Sequence, residues 1–497
     1  MLLEGILSVL TPACFVWNFF GTFVGIIFGA IPGLSAVMAM VLFLPMSFGL
    51  EPYQGIALLL GLYVGGISGG MISAILIKIP GTPASMCTVF DGGPMADRGE
   101  AGKALGIGVL YSFIGGILSA LSLICIAPLL AQAALKFSPY EYCSIAIMSL
   151  TIIASLSGKS MINGLISGII GLLVACIGVS PVGSVARLTF GNRNLLSGVS
   201  MIPLLIGVFA ICEIIASASA ENNLGKKVPY KIKGFGITMK EFKSETVNML
   251  RSAIIGIVIG ILPGLGANTS GVFAYGAAKS ASKHPEEFGK GCISGLVASE
   301  TANNANTGGA IIPLLTLGVP GNTPTALLLA ALTVHGITPG PLIFTKSGAM
   351  VYGIYAAFIL ANIFMLLLEW RGIKVFVKML DVPKYIMYSV IIALCMVGTF
   401  SDKNRAFDIL MVVVIGIIVY FLKQFGFATT PFIIGFILGP ILETNLGRAI
   451  SMSEGSLLPF VTRPISAAFL LVTLISATWV IKKNVKKEKN ILADDEG

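Results

Sequence analysis

Charge is what this 497-residue chain has least of: Asp, Glu, Lys and Arg together make up 11% of it, well under the quarter usual in soluble domains. That excludes an ordinary water-facing globule. Two histidines, His284 and His335, are too few for a histidine metal site. The cysteines, Cys14, Cys87, Cys125, Cys143, Cys176, Cys212, Cys292 and Cys395, lie apart in apolar runs with no C-x-x-C pair. Neither a disulfide framework nor a thiolate cluster is supported, and no metal site or cofactor is expected. The opening MLLEGILSVLTPACF contains Glu4 but no Lys or Arg, so it reads as mature protein rather than a cleaved signal. SLSGKS at Ser155 to Ser160 imitates the end of a phosphate-binding loop, but Ile153 stands where the first glycine belongs, so ATP is not the energy source. H-E-x-x-H is missing, as is an acidic pair for a membrane protease. The chain is not read as an enzyme.

What is present is hydrocarbon. Of the residues 56% are hydrophobic and the mean hydropathy is +0.93. Apolar runs such as Leu105 to Ala134 and Val351 to Leu368 recur along the chain, about ten to twelve of them near the ~20 residues that cross a bilayer. The expected fold is an all-α polytopic membrane protein. The net charge of +9 does not call for nucleic acid, because it gathers beside the spans. Glu221 to Arg251 carries seven basic residues against three acidic, and the tail IKKNVKKEKN carries five lysines. Basic loops next to spans stay cytoplasmic, so the central loop and the C-terminus are expected inside and the N-terminus periplasmic.

Helix-breaking pairs appear twice, in the same order. Pro32-Gly33-Leu34 matches Pro263-Gly264-Leu265, and IPGTPAS at Ile79 to Ser85 matches VPGNTPTA at Val319 to Ala326. SPYEYCSIAIM then resembles VPKYIMYSVII, and IPLLIG at Ile202 to Gly207 resembles TPFIIG at Thr430 to Gly435. The reading is a duplication: residues 1–217 and 252–450, a basic linker at 218–251, and residues 451–497 as an extra span with a basic tail. KSASKHPEEFGKG holds three lysines where its counterpart MSFGLEPYQG holds none, so equivalent loops face opposite sides, as in inverted-topology repeats. One stretch resists this count. RGIKVFVKMLDVPK and SDKNR are both basic and flank a single apolar run.

Pro removes an N–H and Gly accepts unusual backbone angles, so each pair breaks its helix and frees backbone groups. In lipid such groups persist only where protein buries them or where they line a polar cavity. The breaks therefore mark a candidate site for substrate and ions, either as broken helices or as tips of re-entrant hairpins. The candidate residues are Pro32, Gly33, Ser35, Gly81, Thr82 and Ser85 in the first half. In the second half they are Pro263, Gly264, Asn268, Thr269, Ser270, Asn304, Thr307, Gly321, Asn322 and Thr323. Amides and hydroxyls can hydrogen-bond a carboxylate, half-helix N-termini favour anions, and broken-turn carbonyls can hold Na+. The alternative is that the small residues merely let helices pack closely. Two charges are candidates for coupling: Lys78, which could instead snorkel to the interface, and Glu300, which could instead sit at a membrane boundary. Glu213 and Glu443 end apolar runs and read as interfacial.

IPGLSAVMAMVLFLP with LPGLGANTSGVFAYG, KIPGTPAS followed by DGGPMADRGEAGKALG, and GVPGNTPTALLLAAL resemble the large membrane subunit of the tripartite tricarboxylate transporters, over about residues 15 to 450. The resemblance implies a permease that works with an extracytoplasmic solute-binding receptor and a small four-helix membrane subunit in a bacterial inner membrane. It would import citrate or another carboxylate on a Na+ or H+ gradient. A passive anion channel or a membrane scaffold stays open as an alternative. Gradient-dependent uptake separates the first from the channel, and polar substitutions that abolish uptake but spare assembly exclude the scaffold.

Overall fold

The computed structural model describes residues 1–156, 161–219, 235–380 and 384–478. Part of the basic linker, the Gly-Lys-Ser of the phosphate-loop imitation, residues 381–383 and the lysine tail lie outside the described residues. Among the described residues, eight helices are long and apolar enough to cross a bilayer, and five more apolar helices are shorter. The only strands described are a two-residue antiparallel pair, β1 (Gly178–Val179) and β2 (Ala186–Arg187).

After a short α1 (Leu2–Val9), the first half runs α2 (Pro12–Ala30), α3 (Ala36–Phe48), α4 (Pro52–Leu76), a 3-10 turn at Pro83–Ser85, α5 (Thr88–Asp97) and α6 (Ala101–Ala134). It continues through α7 (Pro139–Leu156), α8 (Met161–Ala175), α9 (Met201–Ile206) and α10 (Cys212–Ser219). The second half opens with α11 (Met239–Ile261), α12 (Ala267–Ala281), α13 (Ile293–Leu317) and α14 (Thr323–Val334). Then come α15 (Ile343–Lys346), α16 (Gly348–Met379), α17 (Lys384–Lys403), α18 (Ala406–Gln424) and α19 (Thr429–Met452). A short α20 (Pro459–Thr462) precedes the extra apolar helix α21 (Pro464–Thr478). Lengths repeat in order: α4 and α13 have 25 residues each, and α6 and α16 have 34 and 32.

The chain divides into two compact units, residues 1–132 with 209–404 and residues 133–208 with 405–497. Each sequence half contributes to both. In the first unit each Pro-Gly-Leu break reverses the chain. Gly21, Gly25 and Gly29 of α2 lie against Leu58, Leu62 and Gly66 of α4, so these two helices run parallel. Between them α3 runs back, with Ala36 against Gly66 and Ser47 against Gly55. Glycine at a four-residue spacing lets the backbones touch, a packing that lipid does not otherwise promote. The second half repeats the pattern. Gly256 and Gly260 of α11 meet Ala302 and Asn306 of α13, while α12 returns with Gly271 near Ser299 and Tyr275 near Gly295. Both Pro-Gly-Leu segments are thus hairpin tips rather than kinks in one straight span. Helix α4 is buried from Gly55 to Leu76, and α13 from Gly295 to Thr316.

The second unit packs α19 on α8, where Gly171 and Gly435 let the backbones approach. Arg463 pairs with the buried Glu141 at 2.7 Å, and Tyr140 donates to the Ala449 carbonyl at 3.1 Å. Arg187 pairs with Glu443 at 2.8 Å beside a cavity of about 380 Å³ lined also by Ile177, Ser197 and Phe436.

Candidate functional site

Each hairpin tip needs a left-handed residue to turn between its arms. Gly33 has φ 92° and Gly264 φ 84°, angles that cost any residue with a Cβ ~1–2 kcal/mol. A second break then folds back onto each tip. The Gly81 N–H donates to the Gly70 carbonyl at 3.3 Å, and a Cβ on Gly81 would strike the Gly29 carbonyl. Gly321 holds the same place: a Cβ there would lie 2.7 Å from the Gly260 carbonyl and from the Ala310 Cα. Register confirms the equivalence, because Lys78 and Gly318, three residues before these glycines, are both left-handed, at φ 57° and 70°. We call these meetings of tip and break the first and second crossings.

The second crossing is tied together by polar groups. Asn322 and Thr325 form a reciprocal cap on α14: the Thr325 N–H donates to Asn322 Oδ1 at 3.1 Å and the Asn322 N–H to Thr325 Oγ1 at 2.9 Å. Asn322 Nδ2 donates to Tyr63 of α4 at 2.7 Å and to Asn306 Oδ1 at 3.1 Å. Asn306 Nδ2 reaches the Leu265 carbonyl at the tip, at 3.3 Å. The Gly264 N–H donates to the Gly321 carbonyl at 2.6 Å.

One to two turns earlier on α13 lies a deeper network. Glu300, fully buried, accepts from Thr88 of α5, from Ser112 of α6 at 3.0 Å and from Asn303 at 3.4 Å. Asn304 Nδ2 donates to Ser112 Oγ at 2.8 Å, Asn303 Oδ1 at 2.6 Å and the Glu300 carbonyl at 3.1 Å. Thr307 donates to the Asn304 carbonyl. Asn303 also reaches Ala84 of the first break at 3.3 Å. The start of α13 thus meets the end of the first break. Its far end, at Ile311, Leu314 and Leu315, lies with Ile56 and Leu60 of α4, so α4 and α13 run antiparallel. Among the described residues no Lys or Arg pairs with Glu300, leaving neutral donors to hold a carboxyl in an apolar interior. Glu300 is thus enclosed by the protein itself.

Some candidates lie elsewhere. Asn268 is exposed, Thr269 is partly so, and Ser270 bonds its own helix at 3.5 Å. Ser35 caps α3, accepting from the Met38 N–H at 3.2 Å. Lys78 pairs with Asp97 at 2.6 Å with both side chains at least half exposed, away from the buried network.

Sequence reasoning passed over several buried groups. Glu369 is the sole acid of the 32-residue α16 and is fully buried, accepting from Ser68 Oγ of α4 at 2.8 Å. A lone carboxyl in an apolar run was the available signal, masked by Arg371 and Lys374 just beyond it. Asp91 collects the N–H groups of Gly289, Gly291 and Cys292 at 2.7–2.9 Å and the Tyr275 hydroxyl at 2.9 Å. It thereby fastens α5 to the start of α13, where helix-end N–H groups favour an anion.

The model of the family described as "Tripartite tricarboxylate transporter TctA family" matches residues 15–434. Two curated relatives come from Agrobacterium vitis. The "Uncharacterized 52.8 kDa protein in TAR-I ttuC' 3'region" is 34% identical over 98% of this chain and 97% of its own length. The "Uncharacterized protein in TAR-II ttuC' 3'region" is 36% identical over 47% of this chain and 97% of its own. No solved structure matches.

Proposed function

The chain belongs to the tripartite tricarboxylate transporter TctA family, and from that membership we propose that it is the permease subunit of a secondary transporter for tricarboxylates such as citrate or related carboxylates. A Na+ or H+ gradient drives import. An extracytoplasmic receptor delivers the substrate, and a small four-helix membrane subunit completes the assembly. The chain sits in a bacterial inner membrane with its basic linker and tail cytoplasmic. Its duplicated halves are inverted, a reading supported by the antiparallel run of α4 and α13.

One observation carries the proposal: two glycine-tipped crossings flank a buried network of Asn303, Asn304, Thr307 and Glu300 in a mainly apolar interior. Irregular backbone and amide side chains at that depth are expensive unless they handle polar cargo. Their amide donors suit carboxylate oxygens. The test is uptake of radiolabelled citrate and of a dicarboxylate panel into proteoliposomes holding the complete assembly, with and without imposed Na+ and H+ gradients. Gradient-driven accumulation supports the reading. Equilibration alone indicates a channel, and no flux in any condition indicates a scaffold.

A further inference from the structure

The two crossings share a backbone but not a bonding pattern, and the difference points to a ligand. Thr82 and Ser85 occupy the places of Asn322 and Thr325, three residues apart behind the break. In the second crossing that pair closes on itself as a reciprocal cap. In the first, Thr82 Oγ1 and Ser85 Oγ are both buried and neither has a hydrogen-bond partner. Both oxygens face one spot. They lie 2.6 and 2.5 Å from the point where a Cβ on Gly70 would sit. Its counterpart in the second half is Ala310, which carries a methyl where Gly70 has none.

Other oxygens converge on the same crossing. Ser73 Oγ lies 2.7 Å from the Cβ position of Gly81, and the Gly29 carbonyl is closer still. Helix α2 closes with the Ile31 N–H on the Ile27 carbonyl. Pro32 has no N–H to offer the Phe28 carbonyl, and among the described residues no backbone N–H reaches the Gly29 carbonyl. The helix therefore presents its negative end at the crossing. An anion is disfavoured there, because the nearby Gly81 N–H is engaged by the Gly70 carbonyl. A divalent ion would call for carboxylates, and none belongs to this set. Neutral hydroxyl and carbonyl oxygens at a half-helix C-terminus suit a monovalent hard cation.

We propose that the first crossing alone holds one Na+ ion between the hydroxyls of Thr82, Ser85 and Ser73 and the carbonyl end of α2 at Gly29. The ion docks the first tip onto its break, as Asn322 and the Gly264–Gly321 hydrogen bond dock the second. The inference rests on the transporter reading for the ion's role in coupling, but not for its binding.

The test is thermal unfolding of the purified full chain in detergent, titrated with NaCl against KCl and choline chloride at constant ionic strength. A ligand that binds only the folded state raises the midpoint with concentration. The wild type should show a saturable rise specific to Na+. Thr82→Val and Ser85→Ala should weaken the apparent Na+ affinity at least about tenfold, roughly what losing one good oxygen ligand costs. Gly70→Ala, which copies Ala310, should abolish the response, and Thr82→Ser should keep it. If Na+ raises the wild-type midpoint no more than K+ does, or if Thr82→Val and Ser85→Ala respond like the wild type, the site does not exist. A Na+ response lost in these variants without gradient-driven uptake in proteoliposomes would keep the site and remove the transporter reading. Uptake without any Na+-specific response would do the reverse.

Discussion

The two crossings are the same piece of backbone carrying different side chains. At both, a left-handed glycine turns the hairpin and a second glycine brings the break against the tip. The second is cross-linked by its own groups: Asn322 bonds Thr325, Asn306 and Tyr63 at once. The first leaves Thr82 and Ser85 without protein partners. Backbone architecture is thus imposed by glycine and proline, whereas what each crossing holds is decided by a few side chains. The frame occurs twice, and a few differing side chains give its two copies different bonding patterns.

The harshest way to break the comparison is at the shared frame. Gly321→Val puts carbon onto the Gly260 carbonyl and the Ala310 Cα, both backbone atoms that cannot swing aside. No monodisperse protein is expected on size-exclusion chromatography, and Gly81→Val should fail alike. Gly264→Val must hold φ near 84°, at ~1–2 kcal/mol before any clash. Uptake should vanish. Normal transport by Gly264→Val would mean that the tip lies elsewhere.

Next in size is the contrast between the caps. Asn322→Ala removes a helix cap and strands the partners of a buried amide, together ~2–4 kcal/mol. Thr82→Ala, in Na+-free buffer, removes a hydroxyl that has no protein partner and should cost under ~1 kcal/mol. Thermal midpoints of the two variants measured side by side decide it. Equal losses would erase the asymmetry on which the difference between crossings rests.

Much of the frame was legible before any coordinates. Pro-Gly-Leu and Pro-Gly-x announce themselves because no other residues break an apolar helix so cheaply, and their repeated order carried the duplication. The reversal at each tip was one of two readings that the length around Ser252 to Ala278 allowed. Partners across the fold were not legible. Thr88, Ser112 and Tyr63 are unremarkable in sequence and gain meaning only because α5, α6 and α4 bring them to Glu300, Asn304 and Asn322. Glu369 escaped notice beside Arg371 and Lys374 in the sequence, whereas the fold buries it against Ser68. Asn268, polar and next to a break, is exposed rather than joined to the buried network.

A smaller effect separates the halves in transport. Asn304 Nδ2 lies within hydrogen-bond reach of three acceptors in the buried network, whereas Ser35 makes one cap contact at a partly exposed tip. Asn304→Ala should reduce citrate uptake at least about tenfold at equal expression, and Ser35→Ala only severalfold, in line with a cap worth ~1 kcal/mol. The reverse order would move the substrate's contacts to the first half.

The least effect is expected at Lys78, and its smallness is informative. Its ion pair with Asp97 is at least half exposed on both sides, so it contributes ~0–1 kcal/mol. Its backbone is left-handed at φ 57°, where the counterpart in the second half is Gly318 at φ 70°. Glycine would relieve ~1 kcal/mol of that strain. Lys78→Gly should therefore leave the thermal midpoint nearly unchanged, because the lost ion pair and the relieved strain oppose each other. Lys78→Ala keeps the strain, loses the pair and should be the less stable of the two. Uptake should persist in Lys78→Gly if the lysine anchors the break at the interface. If that variant folds at the wild-type midpoint yet no longer transports, the charge serves the substrate, and the first crossing does more than hold an ion.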